Sequence, residues 1–162
     1  MSSNSLDLRK VKAISDYQFG SSITDILFEN EEALRIEYSK NTNKIKYIYE
    51  NEQLLLSFKP TNGFFTLSLF AAQKVIKHTQ KPYLRVIVLT EISEFIKKGR
   101  NVFCKHVVDI DPRLRALDEV IIVNQEEELL AVGRLMIPAH YINTFDTGVA
   151  IKVRKGIYKS KL

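Results

Sequence analysis

The sequence holds a single cysteine, Cys104, among its 162 residues. An internal disulfide is therefore excluded, as is a zinc site built from several thiolates. No run of about 18 apolar residues occurs, the length that a membrane span needs, and "MSSNSLDLRKVKAI" lacks the apolar centre of a secretory leader. A soluble chain in a reducing cytoplasm is expected, with no membrane association. None of the three histidines, His78, His106 and His140, has a second ligand at metal spacing, so no metal site is expected. Nor is there a P-loop, a GxGxxG turn after a strand or a GxSxG elbow. Asp109 and Asp111 share a strand face, but "DIDP" reads as a strand end entering a turn. Cys104, between Phe103 and Val107, reads as a small buried thiol rather than a nucleophile. No catalytic residue and no cofactor are expected. Internal repeats and low-complexity tracts are missing as well.

What remains is ordinary globular composition, 45% hydrophobic and 27% charged, with a formal net charge of +5 that favours polyanionic partners. "SITDILFEN" spaces Ile23, Ile26 and Leu27 as a short helix, with Ser22 or Thr24 available to cap it. "ALRIEYSK", "KIKYIYE" and "QLLLSFK" follow, separated by Asn41 to Asn43 and by Asn51, the pattern of an antiparallel meander. Ile45, Tyr47 and Tyr49 alternate along the middle strand, which assigns them to a buried face. "PTNG" breaks the pattern, and from Phe65 to His78 the spacing of Leu67, Phe70, Ala71, Val75 and Ile76 is helical.

"HTQKP", residues 78–82, marks the boundary between domains expected at 1–80 and 83–162. Beyond it the order is strand ("YLRVIVL"), helix ("EISEFIKKG", closed by Gly99), strand ("NVFCKHVVDI"), strand ("EVIIVN"), strand ("ELLAVGRLMI"), helix ("AHYINTF") and strand ("VAIKVRKGIY"). Five short strands with two short helices point to a small barrel-like α+β domain rather than βαβ units.

Two basic groups stand out. After Asp146 the chain has no acidic residue but carries Lys152, Arg154, Lys155, Lys159 and Lys161. In a strand, Lys152 and Arg154 face one way and Ile151 and Val153 the other, so the segment can anchor in a core and still present cations. The alternative is a solvated edge strand whose lysines oppose aggregation. Lys97, Lys98, Arg100 and Lys105 surround Gly99, where a helix-to-strand turn exposes backbone N–H groups to a phosphate. Ordinary cations offsetting the end of a capped helix would produce the same pattern.

"GRNVFCKHVVDIDP", "DEVIIVNQEEELLAVGRLMI" with its "VGR" at Val132 to Arg134, and "GVAIKVRKG" together resemble a PUA domain, an RNA-binding module. "ISDYQFG" and "NGFFTLSLFAAQKV" are similar to the pre-PUA domain that precedes it in archaeal tRNA-guanine transglycosylases, which begin archaeosine synthesis, and in small archaeal PUA proteins. The resemblance implies a fold of α+β class: a small N-terminal α+β pre-PUA domain, then a PUA pseudo-barrel of short β-strands with two helices. It implies an RNA-facing groove with Lys98, Gly99, Arg100, Asn101, Val102, Phe103 and Lys105 on one wall and Ala150, Lys152, Arg154, Lys155 and Gly156 on the other. Arg134 is implied to be structural.

Leu117 stands where relatives usually place glycine, which implies a turn with negative φ. Asn62 and Cys104 stand where aspartate and a small residue such as alanine are usual. The transglycosylase catalytic domain, with its aspartates and cysteine-held zinc, is not contained in these 162 residues. The expected partner is RNA, above all tRNA near its acceptor stem and 3′ end, bound in the setting of tRNA modification. Single-stranded bases would stack on Phe103 or Tyr158. An alternative is a non-catalytic subunit acting in trans with a tRNA-modifying enzyme such as an archaeosine transglycosylase. Phe64, Phe65 and Phe70 would then form a protein interface, although such residues are more often core.

Overall fold

The structure, a computed structural model, describes residues 2–161, with side chains from 5 to 159. It divides into two compact units, Met1–His78 and Thr79–Leu162.

The first unit begins with α1 (Ser2–Phe19), which the sequence reading did not anticipate. Val11, Ser15 and Phe19 recur every four residues and are all buried, a stripe with a polar member that hides the period. After Gly20, α2 (Ser21–Leu27) forms as expected, but neither Ser22 nor Thr24 caps it. Gly20 holds the N-cap position with φ 95°, and Thr24 is buried, donating to Ser15 Oγ at 2.7 Å. Strands β1 (Leu34–Tyr38), β2 (Ile45–Glu50) and β3 (Gln53–Lys59) form the expected meander. The β2–β3 loop consists of Asn51 and Glu52 at φ 48° and 65°, the left-handed pair whose twist suits a two-residue hairpin.

Two expectations fail in this unit. In β2 the buried side chains are Ile48 and Glu50, while Ile45, Tyr47 and Tyr49 are only half-buried. Glu50 tolerates this because Lys74 donates to it at 2.8 Å. The helical period from Phe65 is also wrong at its start, since Phe64–Leu67 is a fourth strand, β4, and only Leu69–His78 is helix, α3. Strand β4 is fixed from outside: the Gln18 amide donates to the Phe65 carbonyl at 2.7 Å and accepts its N–H at 2.8 Å. Phe65 is 1% exposed, whereas Phe64 and Phe70 are half-buried.

The second unit contains β5 (Arg85–Val88), α4 (Ser93–Lys97), β6 (Val102–Phe103), β7 (Val107–Ile110), β8 (Glu119–Asn124), β9 (Leu129–Leu135) and β10 (Val149–Gly156). The sheet order is β6-β10-β9-β8-β5-β7, with β5 parallel to β8 and every other pair antiparallel. The expected single strand over 101–110 is interrupted by a 3₁₀ turn at Cys104–His106. Its halves therefore lie at the two ends of the sheet order, and this turn draws the sheet into a nearly closed barrel. The second expected helix is a 3₁₀ segment, Ala139–Thr144.

Strands β5 and β8 are buried along their whole length. Val102 and Cys104 join them in the core, whereas Val107 is half-buried and Val108 is 48% exposed. Asp111, just past β7, is a clamp. It accepts the Leu84 N–H at 2.8 Å and the Arg113 N–H and Nε at 3.0 Å each. Burial alone would raise its carboxyl, but the Arg113 side chain and the two N–H groups hold it below the usual carboxylate range. Leu117 has φ +73°, the reverse of the negative value expected, so a side chain occupies the left-handed position that glycine takes at no cost.

Candidate functional site

The expected site residues fall on two neighbouring elements of the second unit. Helix α4 stops because Gly99 adopts φ 101°, with its N–H on the Ile96 carbonyl at 2.9 Å and the Arg100 N–H on the Phe95 carbonyl at 3.1 Å. This is a Schellman closure, and it fixes the direction in which Arg100 leaves the helix. The chain then enters β6, which pairs with β10 through Val102 opposite Ile151 and Phe103 opposite Val149. Asn101 Oδ1 accepts the Val153 N–H at 3.0 Å, a second stitch between the walls. At the far end of β10 a Cβ on Gly156 would sit 2.2 Å from the Lys97 carbonyl oxygen. Only glycine lets β10 pass that close to the turn.

Not every residue of the two walls offers a side chain to solvent. Val102 and Ala150 are fully buried and Gly156 is buried, so they set backbone position. Lys98, Arg100, Asn101, Phe103, Lys105, Lys152, Arg154 and Lys155 are exposed, and Gly99 is partly so. Two cations are engaged inside the protein. Lys97 bonds to Glu128 and lies 3.4 Å from Glu94, and the bond to Glu128 raises its pKa. Arg154 bonds to Glu119 at 2.7 Å, a carboxylate only 7% exposed. A bulge between Val153 and Lys155 interrupts the simple alternation that would have kept Arg154 in line with Lys152. Among the described residues, Lys98, Arg100, Lys105, Lys152 and Lys155 have no ion-pair partner.

Arg100 borders a hollow of about 460 Å³, whose other lining residues are Ile92, Phe95, Ile96, Asn101, Phe103 and His106. Phe95 is 57% and Phe103 44% exposed, and Phe103 meets the His106 ring edge-on at 6.3 Å. Phe95 and His106 were not anticipated. In "EISEFIK" the apolar i, i+4 pair is Ile92 and Ile96, and Phe95 falls outside that spacing, which is the signal that could have found it. Tyr158 donates to Glu94 at 2.6 Å, so its hydroxyl is occupied while its ring stays exposed. Cys104 is 4% exposed, and burial pushes its thiol up, away from the reactive thiolate. Among the described residues no group of three His, Cys, Asp or Glu side chains converges on a metal position, and no helix is long and apolar enough to cross a membrane.

A barrel of short strands closed beside a glycine-capped helix, with cations and exposed aromatics at the junction, defines the second unit as a pseudo-barrel of PUA type. Comparison with known proteins agrees: residues 84–157 match the PUA domain, and residues 9–82 match the patch-forming domain C2 of tRNA-guanine transglycosylase. The chain thus carries a PUA domain, with a domain of the transglycosylase C2 type ahead of it in sequence. It is 45% identical to the tRNA-guanine(15) transglycosylase of Methanobrevibacter smithii over 94% of its own length and 23% of that enzyme's. The chain thus spans about a quarter of the length of the curated relatives it matches. A hypothetical protein from Pyrococcus horikoshii shares the fold across 96% of this chain and 95% of its own, with TM-score 0.75 and 20% identity. A conserved PUA domain protein from Thermoplasma acidophilum shares it over 68% of each chain, with TM-score 0.54 and 17% identity.

Proposed function

We propose that this protein binds structured RNA through the second unit, in the setting of tRNA modification in the cytoplasm, and that its ligand is tRNA held near the acceptor stem and 3′ end. Residues 1–80 and 83–162 act as its two domains. The observation that carries the reading is the pairing of β6 with β10, which sets the segment of Lys98, Arg100 and Lys105 next to the strand of Lys152 and Lys155, five cations with no ion-pair partner among the described residues, with a hollow lined by Phe95, Arg100 and Phe103 on the first of these segments. Lysines placed on two elements suit a phosphate backbone, Arg100 can grip one phosphate with two N–H groups, and the exposed rings suit unpaired bases. The PUA match and the transglycosylase relatives support the same reading.

Binding of tRNA with and without its terminal CCA, measured across a salt series, is the test. Several phosphate contacts give a steep fall of affinity with salt. The double variant Arg100→Glu, Lys152→Glu is expected to lose about a hundredfold or more while its thermal unfolding stays unchanged. Wild-type affinity in that variant, or affinity indifferent to salt, would overturn the reading. Lys152 is preferred to Arg154 for this purpose, because Arg154→Glu would set a second carboxylate against buried Glu119 and disturb the barrel.

A second reading has one specific observation behind it: the curated relatives carry this pair of domains as a minor part of a longer enzyme. In that reading the chain is a non-catalytic subunit acting in trans with a tRNA-modifying enzyme. Co-purification of a transglycosylase with the native protein supports it.

A further inference from the structure

The first unit contains a hollow of about 580 Å³, the size of a small-ligand site, that plays no part in the function proposed above. Helix α1 forms one wall through Asp7, Lys10 and Ile14, spaced three and four residues apart and so on one face. The β1–β2 turn forms the other through Asn43 and Lys44, and Ile45, Phe58 and Phe65 line the interior. The half-buried Phe58 ring meets the buried Phe65 ring edge-to-face at 5.7 Å, so Phe65 backs the Phe58 ring and Phe58 offers the aromatic surface toward the space. Phe65 cannot shift easily, because the Gln18 amide holds its N–H and its carbonyl.

The polar groups of the hollow are few and unlike one another. Tyr38 donates its hydroxyl to Asp7, and that bond pushes the phenol up to about 12. Asp7 also lies 3.8 Å from Lys10, so its charge is already shared. The Lys10 side chain is 60% exposed, and Lys44 is exposed on the opposite wall. An apolar interior, one satisfied carboxylate and a lysine on each wall leave a net positive mouth over a ring-sized apolar space.

We propose that this hollow is a nucleotide site, which takes a planar base against Phe58 with its phosphate between Lys10 and Lys44. An aromatic ring without an anion would leave the positive mouth uncompensated, and a bare phosphate would leave the apolar interior unfilled. A free nucleotide and one nucleotide of a single-stranded RNA offer the same chemistry. The site does not depend on RNA binding by the second unit.

Titration of the ¹⁵N-labelled full chain with 5′-AMP and 5′-GMP, and separately with a 5′-phosphorylated tetranucleotide, followed by amide shifts, tests it. Shifts confined to residues of α1, the β1–β2 turn and β3 are expected with at least one of these. Response to the mononucleotides assigns a free nucleotide, and response to the tetranucleotide alone assigns an RNA chain. Repeating the titration in Arg100→Glu, Lys152→Glu keeps the second unit's surface out of the result. Lys10→Gln with Lys44→Gln, which remove the charges without setting a new carboxylate beside Asp7, should weaken binding about tenfold or more, since two charge-assisted contacts are lost. Ile14→Trp should block it by filling the space. No response to any of the three probes at millimolar concentration, or unchanged affinity in the double lysine variant, overturns the proposal.

Discussion

In the first unit the four strands lie in chain order, β1-β2-β3-β4, joined by tight turns, whereas the second orders its six as β6-β10-β9-β8-β5-β7 and sets β5 parallel to β8. Every strand of the first sheet therefore pairs only with its neighbours in sequence. In the second, β6 and β10 pair across about fifty residues, and the barrel closes only because a 3₁₀ turn splits one segment between the two ends of the order. The consequence is functional. A meander brings together side chains already close in the chain, while the crossed order brings the segment that carries Arg100 and Lys105 next to the strand that carries Lys152 and Lys155. A surface made of two distant cationic segments can be built only in the second way.

The contrast is sharpest in what a single methyl group would do. Gly156→Ala places a Cβ 2.2 Å from the Lys97 carbonyl oxygen and 2.8 Å from the Gly99 nitrogen, both backbone atoms that cannot swing away. Relief requires β10 to part from the α4 turn, and a loss of about 3 kcal/mol or more is expected from chemical denaturation. Gly63→Ala in the first unit is the control. Gly63 has φ +76°, but nothing lies within 4 Å of its Cβ position, so only backbone strain of about 1 kcal/mol is added. Equal losses in the two variants would mean that close approach is not what holds the second unit's walls together.

Asp111 probes the same long-range closure by pH. It joins Leu84, ahead of β5, to the turn after β7, and its carboxyl is held below the usual range despite burial. A depressed folded value means that its stabilisation is complete above the unfolded carboxylate pKa of about 3.9 and is lost as pH falls through the folded value. Asp111→Asn should therefore cost about 1–2 kcal/mol at pH 7, with the gap from wild type narrowing once the pH drops below about 4. A gap that stays constant down to pH 2 would remove the charge from the account.

How much was legible follows the same division. The meander, the Gly99 closure, the strands at 119–124 and 129–135 and the burial of Cys104 could all be read from local pattern and turn residues. Helix α1 escaped because Ser15 interrupts its buried stripe, and β4 escaped because Phe65 and Leu67 continue by chance the helical period of α3. The β2 face was misassigned because Glu50 is buried on Lys74, a partner 24 residues away that no periodicity reveals. At the candidate site the two cationic segments were visible as charge. The withdrawal of Lys97 and Arg154 onto Glu128 and Glu119 was not, since both pairs depend on the sheet order. Phe95 and His106 were missed because the hollow they line is assembled from α4, β6 and the 3₁₀ turn together.

The smallest expected effect is a gain, and it separates turn chemistry from packing. Leu117 sits at φ +73° with its side chain 64% exposed, so it bears left-handed strain and returns little burial. Its N–H donates to the Leu135 carbonyl at 2.6 Å, a backbone bond that the side chain does not affect. Leu117→Gly relieves the strain of about 1–2 kcal/mol but gives the unfolded chain more freedom, which offsets part of the gain. A net stabilisation of about 0.5–1 kcal/mol is expected in urea denaturation, with no change in RNA affinity. A loss of stability would show that the exposed leucine makes contacts worth more than the strain, and that this turn, local as it is, is held by packing after all.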